Sequence, residues 1–71
     1  MTFSQRILCL KNSRNLLQKD IAQAINITVR QYQRYEKGET QPTLPVLLAL
    51  ADYFDVSLDY LVGRSANPKR Q

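Results

Sequence analysis

Residues 18–38 read QKDIAQAINITVRQYQRYEKG, and this stretch decides the fold. From Gln18 to Ile25 the apolar residues Ile21, Ala22 and Ile25, with Leu17 just ahead, fall on one face of a short helix. Asn26 ends that run, because asparagine readily takes the left-handed backbone of a tight turn. Thr28 and Gln31 then form a T-x-x-Q capping box, a start signal for another helix. In that helix Tyr32, Tyr35 and Glu36 share one face, while Arg30, Arg34 and Lys37 share another, bordered by Val29 and Gln33. Gly38 supplies the stop.

The joint between these helices is Asn26-Ile27-Thr28. Ala22 is small enough for a close crossing, and Ile21, Ile25, Ile27, Tyr32 and Tyr35 fill the angle between the axes. Such a joint is how a helix-turn-helix is built. Its second helix presents Val29, Arg30, Gln33 and Arg34; arginine suits bidentate contact with guanine, and glutamine suits adenine. An ordinary corner between two bundle helices, with solvated arginines, also satisfies the same residues.

Outward from the joint, the punctuation predicts three more helices and almost no strand. The first spans about Phe3 to Ser13, with Thr2 and Gln5 as a second capping box and Phe3, Ile7 and Leu10 as the inner stripe. After the polar link Glu39-Thr40-Gln41-Pro42, Thr43 caps a helix from Leu44 to Phe54 with Pro45 in its first turn, where a missing N–H costs little. Ser57 caps a short last helix through Val62, closed by Gly63. The expected fold is all-α, five short helices over residues 1–63, followed by a flexible basic tail at residues 64–71.

Charge is segregated along the 71 residues, whose net charge is +4. Residues 1–37 hold Arg6, Lys11, Arg14, Lys19, Arg30, Arg34 and Lys37 against only Asp20 and Glu36, whereas residues 38–63 hold four acids and no base. A chain polarised in this way points its basic half at a polyanion. The same composition argues against an enzyme. Histidine, the commonest general base, is absent, and Cys9 has neither a second cysteine nor a histidine to form a disulfide, a nucleophilic pair or a zinc site. Gly38 and Gly63 are the only glycines, too few for a phosphate-cradling loop. Asp52, Asp55 and Asp59 read as solvated charges at helix ends. No metal and no cofactor is expected. The opening Met1-Thr2-Phe3-Ser4-Gln5 starts no apolar run, so neither a signal peptide nor a membrane span is expected, and residence in the cytoplasm follows.

At this point the sequence resembles the phage-repressor-like helix-turn-helix family, which contains the lambda and 434 repressors and Cro. The resemblance covers about residues 3–63. It is carried by Leu16-Leu17-Gln18-Lys19-Asp20-Ile21-Ala22, by Arg34-Tyr35-Glu36-Lys37-Gly38 with Pro42 following, and by the run from Leu50 to Arg64, LADYFDVSLDYLVGR. It implies a compact five-helix bundle in which the second and third helices form a DNA-reading unit. By position, Gln18 matches a glutamine that contacts phosphate and supports the recognition helix. Val29, Arg30 and Arg34 match base-contacting positions, with Gln33 beside them, and Lys37 and Thr40 match positions at phosphate or the groove edge. Lys11 falls where relatives have an arginine paired with the glutamate matching Glu36. Four positions depart from the pattern: Leu17 stands for a capping threonine, Asn26 for a glycine, Tyr32 for a β-branched core residue and Val29 for a polar base reader. Tyr32 must be accommodated by repacking or send its hydroxyl to solvent, and Val29 suits a thymine methyl.

The expected function is a sequence-specific regulator of transcription, a repressor, that binds double-stranded DNA through Gln18, Thr28, Val29, Arg30, Gln33, Arg34, Lys37 and Thr40. The alternative is a protein-interaction module of the same fold, such as an antitoxin. A homodimer on a palindromic operator is expected, because one small recognition helix offers few contacts. Val46, Leu50 and Tyr53 form a stripe at i, i+4 and i+7 that suits the dimer surface, unless the last helix and the tail cover it within one chain.

Overall fold

In the computed structural model, which describes residues 1–70, the helices are α1 (Phe3–Ser13), α2 (Gln18–Ala24), α3 (Val29–Lys37), α4 (Leu44–Phe54) and α5 (Leu58–Leu61), with no strand among the described residues. The bounds follow the sequence signals closely. The Thr2 and Thr28 hydroxyls accept from the N–H groups of Gln5 and Gln31, and the Gln5 and Gln31 side chains accept from the cap N–H groups in return. Such reciprocal bonds satisfy donors that a helix start leaves open. Asn26 takes a left-handed conformation at φ 62°, and Gly38 does so at φ 73°. Asp55 ends α4 in the same way at φ 56°, its N–H turned back toward the Ala51 and Asp52 carbonyls.

Leu17 caps α2 without a side-chain acceptor, yet the start of α2 is not bare. Its N–H donates to the Asp20 carboxylate at 3.2 Å, so half of the reciprocal arrangement survives. The carboxylate also stands in the first turn, where the helix dipole favours a negative charge.

The core is built where the stripes meet. Ile7, Ile21, Tyr32, Leu50, Phe54 and Leu61 are fully buried, and Leu10, Ala22, Tyr35, Ala51 and Val56 nearly so. Each large apolar side chain taken from water contributes roughly 1.5–3 kcal/mol. Ala22, 1% exposed, lets α2 and α3 cross closely, as the sequence requires. Polar links then hold the outer helices in place. Arg6 of α1 donates from Nε to the Tyr60 carbonyl at 3.0 Å and stacks its guanidinium 3.7 Å from the Tyr60 ring centre. Ser4 donates to the Tyr35 carbonyl at 2.7 Å, joining α1 to the C-terminal turn of α3.

One expectation about α4 fails. Leu50 lies in the centre of the core, and Val46 and Tyr53 are half-buried against it, so this stripe is α4's inner face and not a free surface. The apolar side chains that α4 leaves in solvent are Leu44, 59% exposed, and Leu48, 47% exposed. The tail beyond Gly63 lies back over the α4–α5 turn: the Ser57 N–H donates to the Pro68 carbonyl at 3.0 Å, and Arg70 pairs with Asp52 and Asp55. Gln71, included in the expected flexible tail, lies outside the described residues.

Candidate nucleic-acid interface

The outer face of α3 gathers the cations. Val29, Arg30, Arg34 and Lys37 are exposed, with Thr28 at the entry and Thr40 just past the exit exposed as well. Among the described residues the ion pairs are Lys11–Glu36, Arg70–Asp52 and Arg70–Asp55, so no acid neutralises Arg30, Arg34 or Lys37. Tyr32 and Tyr35 anchor the opposite face of α3 in the core. The helix is thereby held with its charged side outward, and its charges remain free for a polyanion.

Thr28 has a defined local task, since its hydroxyl accepts from the Gln31 N–H at 3.1 Å and fixes where α3 begins. Gln18 and Gln33 are half-buried where α2 meets α3, and the structure joins them: Gln33 Nε2 donates to Gln18 Oε1 at 3.0 Å. Gln18 Nε2 in turn donates to Glu36 Oε1 at 3.0 Å, and Lys11 Nζ donates to the same oxygen at 3.2 Å. The Lys11–Glu36 pair implied by the resemblance is present. The resemblance implied that Gln18 supports the recognition helix, and the two glutamine bonds supply the partners that the sequence did not disclose. Their only trace there is that Gln33 and Glu36 sit at i and i+3 on the flank of α3 nearest Gln18.

Tyr32 resolves its misfit by burial. It is fully enclosed, and its hydroxyl points inside the protein, not to solvent. Neither that hydroxyl nor Glu36 Oε2 has a partner meeting hydrogen-bond geometry. Burial first, and then the Glu36 carboxylate nearby, push the Tyr32 phenol far above its ordinary value of 10.0. The phenol therefore stays protonated.

No three His, Cys, Asp or Glu side chains among the described residues stand together as a metal site, and Cys9 is exposed on α1. No described helix is long and apolar enough to cross a membrane.

Comparison with known proteins places this geometry. The helix-turn-helix family model matches residues 9–61. The transcriptional repressor RstR of the cryptic phage CTXphi from Vibrio cholerae serotype O1 is 34% identical over 71 residues, covering 100% of this chain and 63% of the relative. The transcriptional regulator ImmR of Bacillus subtilis is 29% identical over 70 residues, covering 99% of this chain and 55% of the relative. The chain thus spans about six-tenths of the length of the curated relatives it matches. Among solved structures, a transcriptional regulator from Listeria innocua superposes with a TM-score of 0.85 at 35% identity, over 93% of this chain and 62% of that one. The P22 c2 repressor in complex with a synthetic operator also gives 0.85, at 23% identity, over 92% of this chain and 98% of that one, a likeness of fold.

Proposed function

The chain belongs to the helix-turn-helix family, and on that premise we propose that it is a sequence-specific DNA-binding regulator of transcription, acting as a repressor in the cytoplasm, and not an enzyme. It reads the major groove of double-stranded DNA with α3. The observation that carries this reading is the exposed row Arg30, Arg34 and Lys37, unpaired by any described acid, on a helix whose other side is anchored in the core. Cations free of acidic partners release counterions from DNA on binding, and that release drives affinity. Arg30 and Arg34 supply forked donors for guanine edges, and Val29 offers an apolar contact to a thymine methyl. Lys37 and Thr40 stand where phosphates flank the groove and set the register, while Gln18, its amide bonded to Gln33 and Glu36, supports α3 from α2. That the relatives RstR and ImmR are named as a transcriptional repressor and a transcriptional regulator supports the same reading.

One helix of this size makes few base contacts, so two copies on a palindromic operator supply the specificity, with half-sites roughly 34 Å apart. The exposed pair Leu44 and Leu48 on α4 is one apolar surface available to such a homodimer. A mobility-shift titration against mixed-sequence DNA at low and moderate salt tests the DNA-binding reading. Binding that weakens steeply with salt is expected; no retention at low salt would refute it.

A further inference from the structure

The segment 64–70 is held at two ends of unlike strength. At the near end the chain leaves α5 through Gly63 at φ 85°, where a Cβ would come within 2.1 Å of the Met1 carbonyl oxygen, so only glycine fits. The N–H groups of Arg64 and Ser65 donate to the Asp59 carbonyl at 2.8 and 3.3 Å, which fixes the direction of departure. At the far end the Ser57 N–H donates to the Pro68 carbonyl at 3.0 Å, and Arg70 reaches the carboxylates of Asp52 and Asp55. The three charged side chains are 46%, 68% and 85% exposed in that order. Pairs so exposed are weak and fade with salt. The segment is a strap with a fixed pivot and a weak clasp.

The strap lies across an apolar cleft. Leu48, Ala51, Val56 and Leu58 line it at the α4–α5 corner, beside Lys69 and Arg70 of the strap. Leu48 belongs to two surfaces, because it is also 47% exposed and lies one turn from Leu44, which is 59% exposed. The exposed apolar pair of α4 therefore runs up to the strap and continues into the cleft behind it. A molecule that pairs through Leu44 and Leu48 gains further apolar contact once the strap is lifted. A second copy fits that place, since the cleft continues the surface offered above to the homodimer. DNA does not, because Glu39, Asp52, Asp55 and Asp59 stand in residues 38–63 with no base among them. We infer that residues 64–70 are an autoinhibitory strap: seated, they narrow the α4 surface on which two copies pair, and release at the Arg70 clasp widens it and tightens homodimerisation. The inference rests on the homodimer reading above and adds the segment that regulates it.

Asp52→Asn combined with Asp55→Asn opens the clasp, and asparagine suits the left-handed backbone at position 55. Glu39→Gln combined with Asp59→Asn is the control, removing the same charge from acids outside the described ion pairs. Amide hydrogen exchange in dilute protein reads the strap directly. The Ser57 amide is expected to exchange severalfold faster in the clasp variant and not in the control, while the Arg64 amide at the pivot keeps its rate. Sedimentation equilibrium should then find the clasp variant dimerising severalfold more tightly than the control and the unaltered protein. Adding Leu48→Lys to the clasp variant should abolish that gain. Unchanged Ser57 exchange, faster exchange without tighter pairing, or a gain that survives Leu48→Lys would each overturn the strap. So would weaker pairing, which would mean that the segment bridges two copies. If no form of the protein pairs, alone or on a selected operator, the homodimer reading itself fails and the strap's role goes with it.

Discussion

Lys11 of α1 donates to Glu36 of α3 at 3.2 Å, with the two side chains only 14% and 8% exposed. The pair ties the first helix to the last turn of α3. Removing one partner of a largely buried pair costs more than the pair contributes net, because the other charge is stranded. Lys11→Met is accordingly expected to destabilise folding by about 2–4 kcal/mol. Exposed Lys19→Ala should stay within about 0.5 kcal/mol of the unaltered protein. Equal urea midpoints for the two variants would contradict the role given to the pair.

Tyr32 makes a prediction about alkaline pH. Its phenol is held protonated in the folded state, while in the unfolded chain it ionises near its ordinary value of 10.0. A group whose folded pKa is raised contributes fully below its unfolded pKa and loses that contribution as pH climbs above it. Stability should therefore fall above about pH 10, and less so in Tyr32→Phe. At neutral pH the same variant removes a buried hydroxyl without a partner and should be unchanged or up to about 1 kcal/mol more stable. Parallel urea titrations of both proteins at pH 7 and pH 10.5 check this, and a loss well beyond about 1 kcal/mol at pH 7 would mean that the hydroxyl is bonded.

The start of α2 can be improved. Leu17 is 56% exposed in extended backbone, and the Asp20 carboxylate already accepts from its N–H. Leu17→Thr places a hydroxyl where the Asp20 N–H can donate to it, completing the reciprocal cap. A gain of about 1 kcal/mol is expected, read as a raised melting temperature with DNA affinity unchanged.

The bounds of the helices were legible because local chemistry sets them: Thr2, Thr28 and Ser57 at the starts, Asn26 and Gly38 at the stops, Pro45 in a first turn. These signals act within a few residues and need no tertiary partner. The orientation of α4 was not legible. With Leu44, Val46, Leu47, Leu48 and Leu50 in one helix, no single stripe is more apolar than the rest, and only the packing of its neighbours decides that Leu50 goes in and Leu48 stays out. At the candidate site the exposed residues Arg30, Arg34 and Lys37 follow from helical spacing alone. The Gln18–Gln33 bond does not, since it depends on how closely α2 and α3 approach, which Ala22 permits but spacing does not measure.

Lys37 lies in the last turn of α3, exposed and without an acidic partner among the described residues. As a phosphate contact it should act on all sequences alike. Lys37→Ala is expected to weaken selected and unrelated DNA by a similar factor and to flatten the plot of log affinity against log salt by about one unit. A change in the preferred operator would assign Lys37 to base reading instead.

The outward face of α3 is proposed to read sequence, and selection of binding sites from a random DNA pool puts that reading to the test. A recovered motif of two inverted half-sites with centres about one helical turn apart is expected. Arg34→Ala, carried through the same selection, should lose the guanine preference at one position of each half-site and keep the others. Sedimentation of the recovered operator at saturation should find two copies bound, and one copy would reject the dimer while leaving the reading of α3 intact. Recovery of no motif, or an identical motif from the Arg34 variant and from a variant lacking both Arg30 and Arg34, would contradict sequence reading by α3.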